Sequence, residues 1–442
     1  MISKLQTMNR EHLAWYLYDF GNSAYAAVVL LAIYSAYFKG EVVGGAEGSR
    51  LWGISVGIAM LVVAVIAPIL GAVADFSASK KRFLLIFSAT SWVFTALLFF
   101  VEKGDILLGM VFFILAEIGY RAGQVFYNSL LPEIASAEEL GRVSGNGWAV
   151  GSFGGILCLL IILPPIVLIE GTLMVRLALV FTAFFFAVST IPAFRWIKER
   201  AEAQKLPEGE NYVTLGFKRI ISTLKSIRHY REFIKFILAF LIYNDGILMA
   251  LDFAAIIGAV LFGMDQQQLI IFMIFVQVTS VIGAYLFGLI GDRIGFKRSL
   301  VISILMMTAI VGAMLFTDTL TGYFVIGAFA GFALTGVQSL SRTMVGLFAP
   351  EGQSAEFFGF FAIAGRTSSF IGPTIYGLVA AEAALWFEAN RNMAAISAEQ
   401  AGQRVAIIFV ALFLLVGLTI LFSVNEAKAR QAATTPIPVS AD

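Results

Sequence analysis

Charge is what this 442-residue sequence has least of: 13% of it is Asp, Glu, Lys or Arg, where a soluble domain carries roughly twice that share. Hydrophobic residues make up 59% and the mean hydropathy is +0.88, which excludes a soluble globular domain and predicts a polytopic membrane protein. A net charge of +1 offers no basic surface for nucleic acid. The single cysteine, Cys158, lies in an apolar run and can form no internal disulfide; a small core residue is the plain reading. His12 and His229 are the only histidines and both fall near the surface, which argues against a histidine metal site or a catalytic triad. No phosphate-binding P-loop is present. An enzyme is therefore not expected, nor a metal or cofactor. The N-terminus also lacks a short apolar core followed by a small-residue cleavage site. Its first apolar run, Trp15 to Phe38, is long enough to span and is expected to stay.

What is present is a succession of apolar runs. Twelve candidate spans cover 15–38, 51–76, 83–101, 106–131, 142–168, 172–196, 232–262, 267–290, 299–317, 321–348, 355–380 and 404–424. Most reach the roughly 20 residues needed to cross the hydrocarbon core. With the N-terminus placed in the cytoplasm, 21 Lys and Arg fall on the inner side, 6 on the outer and 3 within spans. That bias predicts both termini inside.

The spans divide into two halves. Gly71 to Arg82 reads GAVADFSASKKR and Gly288 to Arg298 reads GLIGDRIGFKR, with Asp75 and Asp292 lying 217 residues apart. Pro132-Glu133 and Pro350-Glu351 repeat at 218. Two matched landmarks at nearly one spacing indicate an internal duplication. The expected organisation is a six-helix bundle over 1–196, a cytoplasmic linker over 197–231, a second six-helix bundle over 232–424 and a disordered cytoplasmic tail over 425–442. Late in the linker Phe217, Ile220, Ile221, Leu224 and Ile227 alternate with Lys218, Arg219, Lys225 and Arg228. That pattern fits a helix along the inner membrane surface as well as one packed on the bundle floor. The outer connection from Ala381 to Gln403 has room for a short helix.

Charges inside spans need a partner or a purpose. Glu117 and Arg121 stand four apart in span four and can pair on one helix face, which Gln124 and Asn128 extend. Cavity lining and a pair that locks helix four to a neighbour are both open readings. Gln338 and Arg342 repeat the spacing in span ten, with Arg342 falling opposite Gln124 at the 218 offset. Span one carries Tyr18, Asp19, Gly21, Asn22 and Tyr25; span seven carries Tyr243, Asn244, Asp245 and Gly246, with Asp252 beyond. Asn22, Glu117, Arg121, Gln124, Asn128, Asn244, Gln338 and Arg342 are the candidate solute ligands. Asp245 has no basic residue within a helical turn and is the candidate proton carrier. A tie to an arginine on another helix, such as Arg366, is its alternative role. Gly71, Asp75, Lys81, Arg82, Gly288, Asp292, Arg293, Lys297 and Arg298 in the repeated turns are the candidate gate residues. Gly147, Gly151 and Gly155 recur every fourth residue in span five, a face suited to close helix packing or to sliding. Tyr18-Asp19 with Gly291-Asp292 does not make an intramembrane aspartyl protease. Leu289 and Ile290 break the glycine pattern, and Asp292 sits in a basic turn.

The twelve spans and the two turns resemble the major facilitator superfamily over nearly the whole chain. The first turn departs from the usual pattern, with Phe76 where a basic residue is common and Ser79 where glycine is. WYLYDFGNSAY (15–25), GRVSGNGWAVGSFGG (141–155) and the stretch from SAEFFGFF to GP (354–373) resemble the vacuole effluxer family, the relatives of autophagy-related protein twenty-two. The resemblance implies an all-α membrane protein of major facilitator fold, with twelve transmembrane helices in two pseudo-symmetric six-helix bundles and a solute site at midplane. It implies a secondary transporter acting by alternating access, with efflux of amino acids by analogy to the yeast members. Proton coupling is left open. The expected partners are the lipid bilayer and a small polar solute, and a monomer is expected. The short loops point to a prokaryotic inner membrane. A non-transporting sensor or scaffold with the same fold is the alternative.

Overall fold

The computed structural model describes residues 10–43, 45–169, 171–203, 230–264 and 266–434. All regular structure among them is helical. The principal helices are α1 (Arg10–Tyr25), α2 (Gly45–Ser77), α3 (Lys80–Leu97), α4 (Ile106–Ser129), α5 (Leu140–Leu168), α6 (Leu173–Trp196), α7 (Arg231–Phe262), α8 (Gln266–Ile294), α9 (Phe296–Met314), α10 (Leu320–Phe348), α11 (Ser354–Arg391), α12 (Ala395–Ser423) and α13 (Glu426–Thr434). Beyond Tyr25 the first helix widens into π-helical turns over Ala26–Ala32 and again over Phe38–Val43.

Eleven helices among the described residues are long and apolar enough to cross a membrane, matching the expected spans one to ten and twelve. The remaining expected span, 355–380, lies inside α11, which runs 38 residues to Arg391. The outer connection expected from Ala381 to Gln403 is thus mostly the end of α11 and the start of α12. The amphipathic run from Phe217 to Arg228 falls outside the described residues. The tail differs from expectation at its start, where α13 is helical. The Asn425 side chain accepts the Lys428 amide, Arg430 pairs with Glu426 one turn away, and Ala429 is buried.

The chain forms two compact units, residues 1–224 with 351–360, and residues 225–350 with 361–442. The segment 351–360, expected in the second half, packs with the first unit. In that unit the small-residue face of α5 lies against α1. A Cβ on Gly154 would stand 2.1 Å from the Phe20 carbonyl oxygen, so this contact exists only with glycine there. In the second unit Gly331 of α10 meets the Val276 carbonyl of α8 in the same way, at 2.3 Å. The duplication is visible in matched packing. Gly21 faces Phe186 and Ser189 of α6, while Gly246 faces Val410 and Leu414 of α12. The Tyr18 hydroxyl shares a 2.8 Å hydrogen bond with Ser88 of α3 and lies beside Gly123 of α4, while the Tyr243 hydroxyl bonds Ser341 of α10 at 2.7 Å; Gly123 and Ser341 lie 218 residues apart.

The repeated turns correct one alignment. Gly295 holds φ 92 between α8 and α9, and the residue 217 earlier is Ala78, with φ 47. Ala78, not Ser79, stands in the glycine position, because that is where the chain must enter the left-handed region.

Candidate functional site

The first unit carries a buried polar cluster on α4 and α1. Glu117 is fully buried, and its Oε1 accepts Arg121 Nε at 2.6 Å. The i,i+4 spacing fixes this pair on one face. The Arg121 side chain keeps 22% exposure, and its carbon Cζ lies 5.1 Å from the Tyr120 ring. With Nε engaged, its terminal nitrogens have no acceptor among the described residues. Gln124 donates to the Tyr120 hydroxyl at 3.0 Å, and Tyr120 stacks on Tyr25 with centroids 4.6 Å apart. Asn22 is buried, and its Oδ1 has no hydrogen-bond donor among the described residues. Asn128 is half-buried one turn beyond Gln124. Below the cluster Trp15, Tyr127 and Tyr18 form a stack with centroid spacings of 4.4 and 4.7 Å. The stacked rings are buried, while the Arg121 side chain keeps part of its surface exposed.

In the second unit, Gln338 of α10 donates to Asn244 of α7 at 3.2 Å. Asp245 is buried and accepts the Gly372 amide on Oδ1 at 3.0 Å. Gly372 permits that approach, since a Cβ there would lie 2.7 Å from the Asp245 carbonyl oxygen. Arg342 is buried on α10. Asp252 is exposed and stands apart from this group.

The first repeated turn is a closed cluster. Asp75 is buried and accepts the Glu356 amide at the start of α11 at 2.9 Å. A carboxylate on a helix N-terminus satisfies a free N–H and complements the helix dipole. Lys80 bridges Asp75 at 3.1 Å, Glu133, and the Ser354 hydroxyl at 2.8 Å. Ser354 in turn donates to the Ser129 carbonyl at 2.9 Å. Gly71 lets α11 come close, because a Cβ there would stand 2.5 Å from the Ala355 oxygen. Glu199 caps the start of α3 through the Lys80 and Lys81 amides at 2.8 and 3.3 Å. Burial pushes the Glu199 carboxyl above its usual range, and those two amides pull it back.

The other basic residues of the turns do different work. Lys81 donates to the Ile197 carbonyl at the end of α6. Lys297 donates to the Phe422 and Val424 carbonyls at the end of α12, at 2.9 and 2.6 Å. Both therefore hold the end of the sixth helix of their half. Arg82, Arg293 and Arg298 are exposed, Asp292 is half-buried and Gly288 is buried. Sequence reasoning missed Lys80, Glu133, Ser354 and Glu356 as members of this cluster. Their signal was available, since Lys80 sits in the first turn, Glu133 in the repeated Pro-Glu pair, and Ser354 and Glu356 in SAEFFGFF.

Buried charges on membrane-crossing helices persist where they serve a solute path or a switch, and the helices that hold them here follow a fold shared by solved transporters. The human organic anion transporter MFSD10 (TETRAN) matches with TM-score 0.70 at 14% identity, over 93% of this chain and 99% of that one. A bacterial homologue of the iron transporter ferroportin, in its outward-facing state, matches with TM-score 0.69 at 10% identity, over 94% and 99%. The proton:xylose symporter XylE gives 0.68 at 12%, over 94% and 95%. The chain is an integral, multi-pass membrane protein of the major facilitator type.

Within that class the chain belongs to the family described as vacuole effluxer Atg22 like, which matches residues 52–434. YxiO of Bacillus subtilis (strain 168), named as an uncharacterized MFS-type transporter, is 27% identical over 387 residues, 85% of this chain and 90% of that protein. Autophagy-related protein 22 of Yarrowia lipolytica (strain CLIB 122 / E 150) is 26% identical over 266 residues. That match spans 54% of this chain but only 45% of the fungal protein. Membership makes this chain a secondary transporter rather than an enzyme.

Proposed function

We propose that the protein moves a small carboxylate-bearing polar solute, an amino acid being the first candidate, by alternating access across a prokaryotic inner membrane. In this reading it has twelve spans and both termini in the cytoplasm. The observation that carries it is Arg121. Its Nε is held by Glu117 while its terminal nitrogens have no described acceptor, so a solute carboxylate can take the guanidinium edge in a forked pair. Asn22 Oδ1 supplies an acceptor for a solute ammonium or hydroxyl, and the Tyr25–Tyr120 stack forms a flat apolar wall. The Glu117 pairing neutralises Arg121 before solute arrives, which suits a net-neutral zwitterion. Efflux rests on the family description alone. The Asp75–Lys80–Glu133–Ser354 cluster acts in this reading as a latch on the start of α11, and Asp245 as the coupling acid.

The test is counterflow of labelled amino acids, peptides and sugars in proteoliposomes, with protein orientation checked by a reporter after Asp442. Wild type should exchange an amino acid, and Arg121→Ala should raise its half-saturation about 10- to 100-fold, the worth of a charged hydrogen bond. Exchange unaffected by Arg121→Ala would overturn the site. Absence of flux across the whole panel would leave the sensor or scaffold reading, and an external reporter would overturn the orientation.

A further inference from the structure

A second feature of the first unit lies on its outer face. Between α3 and α6 an apolar groove is lined by Leu85, Trp92, Phe184, Val188, Ile191 and Phe194, and Arg195 closes one end. The α6 residues fall at helical spacing on one face. Leu85, Phe184, Val188 and Ile191 are 45–65% exposed. From Phe184 to Arg195 the helix rises about 16 Å at 1.5 Å per residue. That is close to one leaflet of a hydrocarbon core roughly 30 Å thick.

At the charged end Arg195 lines the groove itself, and a second arginine lies one helical turn from Leu85. Arg82 precedes Leu85 by three residues on α3, one turn towards the same end as Arg195. Lys81 ties the start of α3 to the Ile197 carbonyl, so the two helix ends stay together. Two of the neighbouring cations are already engaged, Lys80 with Asp75 and Glu133, and Arg200 with Glu11 and the Glu133 carbonyl. Arg82 and Arg195 are both exposed and have no carboxylate partner among the described residues. The Glu199 carboxylate is turned to the Lys80 and Lys81 amides instead.

We propose that this face binds one anionic phospholipid, with its phosphate between Arg82 and Arg195 and one acyl chain along the groove. Two arginines at headgroup level above a leaflet-length apolar channel match both parts of such a molecule, and a zwitterionic lipid, which brings the same phosphate with a cation of its own, gains less from the pair. The leaflet is the cytoplasmic one in the orientation proposed above. The site itself depends neither on that orientation nor on the solute.

The test is thermal unfolding of the purified full chain in detergent, titrated with phosphatidylglycerol or with phosphatidylcholine of the same chains. Phosphatidylglycerol should stabilise wild type more strongly. Each juxtamembrane arginine contributes about fivefold in affinity for an anionic surface. Arg82→Gln with Arg195→Gln should therefore weaken phosphatidylglycerol roughly 20- to 30-fold and phosphatidylcholine much less, so that the preference between the two lipids is lost. Ala187→Phe, which narrows the groove and keeps both arginines, should weaken phosphatidylglycerol as well. Equal affinity of the double variant and wild type for phosphatidylglycerol would overturn the proposal. So would equal stabilisation by inorganic phosphate, which would reduce the site to a surface anion contact.

Discussion

Ala78 holds a backbone conformation that favours glycine, with φ 47. For an L-residue that region costs about 1–2 kcal/mol, partly offset by the greater freedom glycine would have in the unfolded chain. Ala78→Gly should therefore raise the thermal midpoint, by about 1 kcal/mol of stability, without moving any neighbour. Gly295 is the control. At φ 92 and ψ 146 its conformation is nearly closed to other residues, so Gly295→Ala should cost about 1–3 kcal/mol. Differential scanning fluorimetry of the two variants decides this; a stabilised Gly295→Ala would refute the reading of the turn. The residue scale also explains which predictions from sequence reached their target. Glu117 with Arg121, and Gly147, Gly151 and Gly155, are local patterns on one helix, and their spacing alone fixes which face they share. The Asn244–Gln338 bond joins residues 94 apart, and nothing in either local stretch names the other.

At the element scale the start of α11 is the informative case. Its first amides and Ser354 are tied to Asp75, Lys80 and the Ser129 carbonyl, so the helix cannot leave the turn without stranding a buried carboxylate. Losing one partner of such a cluster is costly, because the remaining charge stays buried. We predict that Asp75→Asn loosens this end. In a Cys158→Ala background, a cysteine at Ser354, now 4% exposed, should react with a water-soluble maleimide about tenfold faster or more once Asp75 is changed, the worth of a charged hydrogen bond. An unchanged labelling rate would mean that Asp75 does not hold α11. The hydropathy pattern made most helices legible, since a crossing helix is defined by length and apolar content. It missed the π-helical turns after Tyr25 and the continuation of α11 to Arg391. Both depend on backbone pairing and on the outer surroundings, which a count of apolar residues does not register. The Asp75–Lys80–Ser354 cluster was half legible: Asp75 stood out by repetition, while Lys80 read as one more basic residue of a surface cluster. Its pairing with Ser354 spans 274 positions, a tertiary fact invisible to local pattern.

The scale of the whole molecule is where charge placement becomes a transport cycle. Among the described residues Asp245 has one partner, the Gly372 amide, and no cation; the Glu117 carboxylate is held by Arg121. On the proposed function, these surroundings suit the two acids to different work. A carboxylate locked to an arginine keeps its charge through a cycle and suits orientation of a solute. An acid that meets only a backbone amide can exchange a proton with little rearrangement of its neighbours. Gly372 precedes Pro373 within α11, and proline removes one N–H from the helical ladder. A change at Asp245 is therefore felt beside a position of α11 that offers no N–H to the helical ladder. We predict that Asp245→Asn abolishes uptake or efflux driven by an imposed pH gradient while sparing counterflow, which needs no net proton movement. The amide side chain keeps the Gly372 contact through its own oxygen, so the fold should hold. Glu117→Gln should weaken both modes, because it unsettles Arg121. Proteoliposome assays with and without a pH gradient separate these outcomes. Undiminished pH-driven transport by well-folded Asp245→Asn protein would rule Asp245 out as the coupling acid. Loss of folded protein, rescued by neutralising Arg366, would make Asp245 a structural tie instead.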